Sequence, residues 1–292
     1  MKRIIVSAAD QAYYPFLDEL ISSIEDARAD EDVAIGVLDV GLTPEQHATL
    51  DTRVTHVVSP GWDYEFAGRS SQPQYLRAMT ARPHLPKYFP GYDVIMWMDA
   101  DTWIQHWMAV GHFFAQANAK DLAICQELDR SYANIYYLNN SRKLFHKTLN
   151  AYGNDISQHV GAMPMLNSGV FAMHRDCHYW EKWVATLDWS LRAGPLGHLS
   201  EQTALNVCVY RELPLPAFLP AKFNWCCIHA CPIFDAEHGK YVEPSAPYDE
   251  IAIVHHTGMG TRNAPAFKVM DLRGNATAMN LRYSQWKACR NG

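Results

Sequence analysis

Two aspartates one residue apart, Asp99 and Asp101, follow an apolar run in the stretch VIMWMDADTWI, Val94 to Ile104. Alternate residues of an extended segment point to opposite faces, but where a strand ends the chain turns, and carboxylates at this spacing can converge on one cation. Oxygen ligands favour Mg²⁺ or Mn²⁺, ions that keep coordination positions open for the phosphates of a nucleotide. The stretch IAIVHHTGMGTR offers a third donor, because a short apolar strand there ends in His255 and His256. Gly258 and Gly260 follow, where bare backbone can approach a diphosphate closely. Imidazole in a carboxylate site tilts the choice of ion toward Mn²⁺. An aspartate pair alone is more often a loop or helix-capping feature, so the apolar strand before it and the His-Gly strand end carry the reading.

Those donors lie far apart in sequence, so a fold must gather them. Strand and helix signals alternate through the first half of the chain, the pattern of a parallel sheet covered by helices. Arg3 to Ala8 reads as a strand, Phe16 to Glu25 as an amphipathic helix, Val33 to Asp39 as a strand and Pro44 to Leu50 as a short helix. Thr55 to Val58 is a further strand candidate and SSQPQYLRAMTA is helical, while Val94 to Met98, apolar on both faces, belongs at the centre of the sheet. Open parallel sheets collect ligands at the carboxyl ends of their strands, so Asp10, Asp99 and Asp101 are expected in one crevice. Beyond Asp121 the pattern loosens. DLAIC is a short strand, NSRKLFHKTLNAYG a helix closed by Gly153, and LNSGVFAM a strand entered through a glycine turn. CHYWEKWVATLDWSLRAG and SEQTALNVCVYREL are two helices, the second with a capping-box-like start at Ser200. No repeat or Gly/Ser linker marks a boundary, so one domain is expected.

A chain of 292 residues, 48% hydrophobic and 19% charged, has the composition of an ordinary globular protein with a substantial core. Its net charge of -6 argues against a nucleic-acid binder, which needs a basic surface to neutralise phosphates. No apolar run is long enough to span a membrane and MKRIIVSAAD is too brief for a signal peptide, so a cytoplasmic protein is the expectation. AMNLRYSQWKACRNG mixes Leu281, Tyr283 and Trp286 with Arg282, Lys287 and Arg290, as peripheral membrane anchors do, although a helix capping its own domain is the commoner case. The seven cysteines follow no disulfide framework. NWCCIHAC gathers enough donors for zinc in Cys226, Cys227, His229 and Cys231, but their spacing does not match usual zinc loops; buried thiols in a reducing compartment are the better reading.

Taken in order, SAADQAYY, VIMWMDADTWI, LNSGVFAM, SEQTALN and HHTGMGTR resemble the retaining nucleotide-sugar glycosyltransferases of family 8, which include glycogenin and bacterial lipopolysaccharide galactosyltransferases. The motifs are short, but their order and spacing cover most of the chain. The resemblance implies an α/β GT-A fold with a Rossmann-like, mainly parallel sheet, residues 1–105 forming a nucleotide-binding half and 106–292 a sugar- and acceptor-binding half. It implies that Ala8, Asp10 and Tyr13 hold the uridine and that Arg82 lies near the donor sugar and phosphates. Asp99, Ala100 and Asp101 match the family's DxD motif, which binds Mn²⁺ (or Mg²⁺) and through it the UDP diphosphate. His255 fits the third ligand in the family's H-x-x-G-x-x-K pattern, with His256 as the adjacent competitor. Gly258 belongs to the same loop; Thr261 stands where the family has lysine, and Arg262 follows as a substitute. Asn167, Ser168 and Gly169 match the lining of the sugar pocket. Glu201 and Gln202 replace the usual Asp-Gln, the carboxylate on a sugar hydroxyl and the amide near the anomeric carbon. Without the resemblance, Tyr13 reads as core packing, Arg82 as a solvated charge at a helix end before Pro83, and Glu201 as a first-turn helix acid.

The activity implied is metal-dependent transfer of a hexose from a UDP-sugar to a glycan, lipid-linked sugar or protein, with retention by same-face substitution and Gln202 as electrostatic support. KFNWCCIHACPIF, with Trp225, and SYANIYYLNN, with Tyr136 and Tyr137, are the stretches expected at the acceptor; as core residues these aromatics would need no such role. A sugar nucleotidyltransferase would show a glycine-rich basic loop after its first strand, which SAADQAYY lacks. A non-catalytic nucleotide- or carbohydrate-binding protein on the same scaffold accommodates the departures at Thr261 and Glu201.

Overall fold

The structure is a computed structural model that describes residues 1–28, 31–120, 122–257 and 267–291. The first half alternates β1 (Arg3–Ala9), α1 (Tyr14–Ala27), β2 (Ala34–Asp39), α2 (Pro44–Leu50), β3 (His56–Val58), α3 (Arg77–Ala81), α4 (Leu85–Tyr88) and β4 (Val94–Met98). Leu17, Leu20, Ile21 and Ile24 give α1 one buried stripe at helical spacing. α2 starts where it does because Thr43 accepts the Gln46 N–H at 3.2 Å and the Gln46 side chain accepts the Thr43 N–H at 3.0 Å. SSQPQYLRAMTA is less helical than expected, with short 3₁₀ turns before α3; Pro73 in its middle lacks the N–H that a continuous helix needs.

The chain continues through β5 (Thr102–Ile104), α5 (Met108–Lys120), β6 (Leu122–Gln126), α6 (Ile135–Leu149), α7 (Asn154–Gly161), β7 (Leu166–His174), α8 (Tyr179–Ala193) and α9 (Ser200–Tyr210). Then come β8 (Ala217–Leu219), β9 (Trp225–Cys226), β10 (Ile233–Asp235), β11 (Lys240–Val242), β12 (Ile253–His255), β13 (Phe267–Met270), β14 (Ala276–Met279) and a last helix, Tyr283–Asn291. Among the described residues, seven strands form the main sheet in the order β3-β2-β1-β4-β7-β6-β8. β3, β2, β1 and β4 run parallel, β7 runs antiparallel to both β4 and β6, and β8 is parallel to β6. β4 therefore lies in the middle, and all five of its residues are buried. Ile95 and Trp97 face the core beneath α8, with Phe171 and Trp183, whereas Val94, Met96 and Met98 face Leu17 and Phe113 on the other side.

Two further expectations are corrected. Gly169 lies inside β7 and makes no turn into it, because β7 starts at Leu166, which pairs with Gln126 of β6. Ser200 forms no capping box: Leu199 occupies the N-cap, and the Ser200 hydroxyl instead accepts the Gly197 N–H at 2.8 Å.

β5 leaves the main sheet to form a second one, in the order β5-β12-β9. Beneath it a third core joins Trp103, Trp225, Tyr241 and Trp286, so Trp225 is a core residue and Tyr136 is exposed. The last helix packs on its own protein: Trp286 donates to the Gly239 carbonyl at 3.0 Å, and Trp103 donates to that of Leu281 at 2.9 Å. No helix of the described residues is long and apolar enough to cross a membrane. Replacing Trp286 by Ala should cost about 3–5 kcal/mol in urea unfolding, as for other buried aromatics; an unchanged midpoint would show that the helix contributes no core.

Candidate functional site

The acidic pair sits where the chain passes from one sheet to the other. The Asp99 N–H still donates to the Gly169 carbonyl of β7, at 2.7 Å. Thr102 then closes a turn on the Asp99 carbonyl with its backbone N–H, at 3.0 Å, and its hydroxyl, at 2.7 Å. β5 begins at once, and its antiparallel register with β12 sets Thr102 opposite His255. The His255 Nε2 consequently lies 3.5 Å from Asp101 Oδ1 and 3.9 Å from Asp99 Oδ2. Donor atoms of all three residues fall within 4.8 Å of one another.

Strand alternation decides between the two histidines. His256 turns the other way, donating from Nε2 to the Leu281 carbonyl at 2.6 Å, and burial pushes its pKa down to about 4. For His255, burial pulls the pKa down, but the hydrogen bond and charge of Asp101, with the charges of Asp99 and Glu127, outweigh it and carry the ring upward. Gly169 makes room for this group. A Cβ there would strike the His255 ring and stand 2.8 Å from both Asp99 Oδ2 and Asn167 Oδ1.

Arg82 is buried, not the solvated helix charge that its position before Pro83 suggests. Its Nη2 donates to Asp99 Oδ1 at 2.9 Å, and its Nη1 donates to Glu201 Oε2 at 2.8 Å and Ser168 Oγ at 2.9 Å. The guanidinium also stacks 4.4 Å from the Trp97 ring centre, while the Trp97 indole N–H donates to Asp99 Oδ1 at 2.8 Å. Asp99 is thus held through Oδ1 and presents Oδ2 toward His255. Glu201 is completely buried, with Oε1 accepting no hydrogen bond among the described residues. Burial raises its carboxyl to about 7 although Arg82 pulls the other way.

These residues line a cavity of about 380 Å³. The ends of β1 and β4 meet there, placing Ala8, Asp10 and Tyr13 with Arg82, Asp99, Ala100 and Asp101, and with Asn167, Ser168, Glu201, Gln202 and His255. Asp10 also holds its own turn, its Oδ1 accepting the N–H groups of Ala12 and Tyr13 at 3.0 and 2.9 Å. Gln202 Oε1 is engaged by the Ser168 N–H at 3.1 Å and hydroxyl at 3.3 Å. Gly258, Gly260, Thr261 and Arg262 lie outside the described residues.

The zinc-like quartet does not assemble as a set. Cys226 and His229 instead group with Glu127, which the sequence reading missed because it lies some hundred positions away, just past β6. Both Glu127 oxygens already accept hydrogen bonds, from Asn167 Nδ2 at 2.7 Å and His229 Nε2 at 3.0 Å. Glu127 and His229 line the same cavity as Asp99, Asp101 and His255, but the Glu127 carboxylate is already engaged by protein donors through both oxygens.

No protein-family model and no curated protein sequence matches the chain. Solved structures do. The galactosyltransferase LgtC, in complex with donor and acceptor sugar analogues, superposes with a TM-score of 0.56 and 14% identity over 99% of this chain and 95% of that one. The glycosyltransferase GlyE of Streptococcus pneumoniae TIGR4 gives 0.55 and 14%, over 100% of this chain and 62% of its own. Mouse xyloside xylosyltransferase 1 gives 0.51 and 13%, over 88% and 97%. The chain has the mixed α/β GT-A fold that its motifs implied.

Two substitutions probe this geometry. In the fold Glu201 keeps its proton up to about 7 instead of the ordinary 4.5, so the folded state binds more protons in between and stability falls as pH rises through that window. Glu201→Gln should remove this fall, which is of order 3 kcal/mol at most, in urea midpoints measured from pH 4 to 8. Gly169→Ala should displace His255 or Asp99 and weaken Mn²⁺ binding at least about tenfold, read by the electron paramagnetic resonance of free Mn²⁺.

Proposed function

We propose that this protein is a divalent-metal-dependent glycosyltransferase of the retaining family 8 type, moving a hexose from a UDP-sugar to a carbohydrate or glycoconjugate acceptor. The observation that carries the proposal is the convergence of Asp99 Oδ2, Asp101 Oδ1 and His255 Nε2 on one point of the cavity wall beside the end of β1. Three electron-rich atoms facing one another in a largely buried setting call for a cation between them. Around them Asp99 and Glu201 share one guanidinium, that of Arg82. Oxygen donors with one imidazole suit Mn²⁺, or Mg²⁺. When bound, such an ion stabilises the negative charge of a departing diphosphate.

The remaining roles belong to the chain. Ala8, Asp10 and Tyr13, at the end of β1, hold the uridine. Arg82, fixed by Glu201, Ser168 and Trp97, keeps a positive charge against Asp99 and the donor phosphates. Asn167, Ser168 and Gln202 line the sugar side of the cavity. Glu201 acts through Arg82, since a fully buried carboxylate paired to a guanidinium is a poor nucleophile. Retention then follows from same-face substitution. The anomeric carbon–phosphate bond breaks with its electrons going to UDP, the acceptor oxygen bonds to the same face, and the acceptor proton passes to the leaving phosphate. The fold is that of LgtC, solved with donor and acceptor sugar analogues, which supports this reading.

The test is a thermal-shift titration with UDP, GDP, ADP and CDP, each with and without Mn²⁺. UDP should stabilise the protein in the metal's presence, and Asp99→Asn or Asp101→Asn should abolish that shift. Full stabilisation by UDP in either variant would sink the site. No shift with any nucleotide, in folded protein, would favour a scaffold that binds carbohydrate without catalysis.

A further inference from the structure

We propose that Asn224, oriented by Asn167, sets the tautomer of His255 and so determines that Nε2 is the nitrogen free to bind metal. The metal-binding purpose rests on the function proposed above; the tautomer itself follows from hydrogen-bond direction alone. A backbone N–H can only donate. The Gly169 N–H points at an Asn167 side-chain atom 2.9 Å away, which must therefore be the oxygen. The other end of the same amide lies 2.7 Å from Glu127 Oε1, a carboxylate that accepts, so the nitrogen belongs there and the orientation is fixed twice.

Asn167 Oδ1 also meets the Asn224 amide at 2.9 Å, and an oxygen facing an oxygen would repel, so Asn224 turns its nitrogen to Asn167. The Asn224 oxygen is left facing His255 Nδ1 at 2.8 Å, and that nitrogen must carry a proton. Nε2 of the neutral ring then bears the lone pair and faces Asp101 and Asp99. Asn224, Asn167 and His255 are all buried, at 2%, 6% and 3% exposure, so water does not substitute for a missing partner. The opposite tautomer would place a proton where the metal must bind. Asn224 is thus a positioning residue, acting through the imidazole as outer-shell partners of metal ligands do.

Nitrogen-15 spectra of the metal-free protein, at a pH where the ring is neutral and with His255 assigned by its loss in His255→Gln, test the tautomer. Protonated Nδ1 and bare Nε2 are expected; a proton on Nε2 overturns the inference, and no folding-sensitive variant is needed to see it. Paramagnetic titration with Mn²⁺ alone should show affinity reduced about 10–100-fold in Asn224→Ala. Asn167→Ala, which removes a residue without contact to His255 Nδ1, should lose about tenfold. Wild-type affinity in Asn224→Ala overturns the inference. The expected tautomer in a wild-type protein that binds no Mn²⁺ would uphold the hydrogen-bond chain and overturn the metal reading.

Discussion

The change of sheet between Met98 and Thr102 is the constraint on which the site depends. β4 is hydrogen-bonded on both edges within the main sheet, yet after only three intervening residues the chain pairs antiparallel with β12 in a different sheet. Such a transfer forces a tight turn, and the turn holds both aspartates. Because β12 is in register with the strand that leaves, His255 arrives beside them without any segment reaching out to deliver it. The site is therefore a consequence of strand pairing, and its accuracy is that of a hydrogen-bonded ladder.

Placing charge there carries a desolvation cost that the surrounding residues offset. Arg82 meets Asp99 and Glu201 at once, and Trp97, the residue two before Asp99 on the same face of β4, covers the guanidinium and donates to the carboxylate. Glu201, with no exposure, shapes the cavity by holding Arg82 in place. On the other side the chain of amides from Glu127 through Asn167 and Asn224 reaches His255. Each half of the site is thus held by a network of buried polar groups, which favours rigidity over adaptability, although Arg82 Nε and Glu201 Oε1 make no hydrogen bond among the described residues.

Much of this was legible in advance where local pattern and burial agree. The double-sided apolar run Val94–Met98 could only be a central strand, the Leu17–Ile24 stripe could only be one helix face, and the strand-end position of Asp10, Asp99 and Asp101 followed from the parallel sheet. The readings that changed concern element ends, as at SSQPQYLRAMTA and Ser200, and above all partners. Arg82 before a proline looks like a solvated helix end, and only its four acceptors, drawn from three other parts of the chain, reveal it as buried. Gly169 looks like a turn residue because glycine usually marks one. Its reason is the space its missing side chain leaves for His255 and Asp99.

The sequence by itself determined the periodicities, hence β1 to β4, β6, β7 and β12 and most of the helices, while the short strands β5, β8 to β11, β13 and β14 were not legible in it. It also determined which residue types capable of metal and phosphate chemistry stand at strand ends. Those are local properties, written in spacings of two and about four residues. Tertiary structure alone decided which histidine faces the aspartates, which acid pairs with Arg82, and that Glu127 and Asn224 belong to the same network. These choices depend on register between strands more than a hundred residues apart, and a one-residue slip would exchange His255 for His256 without altering any local pattern.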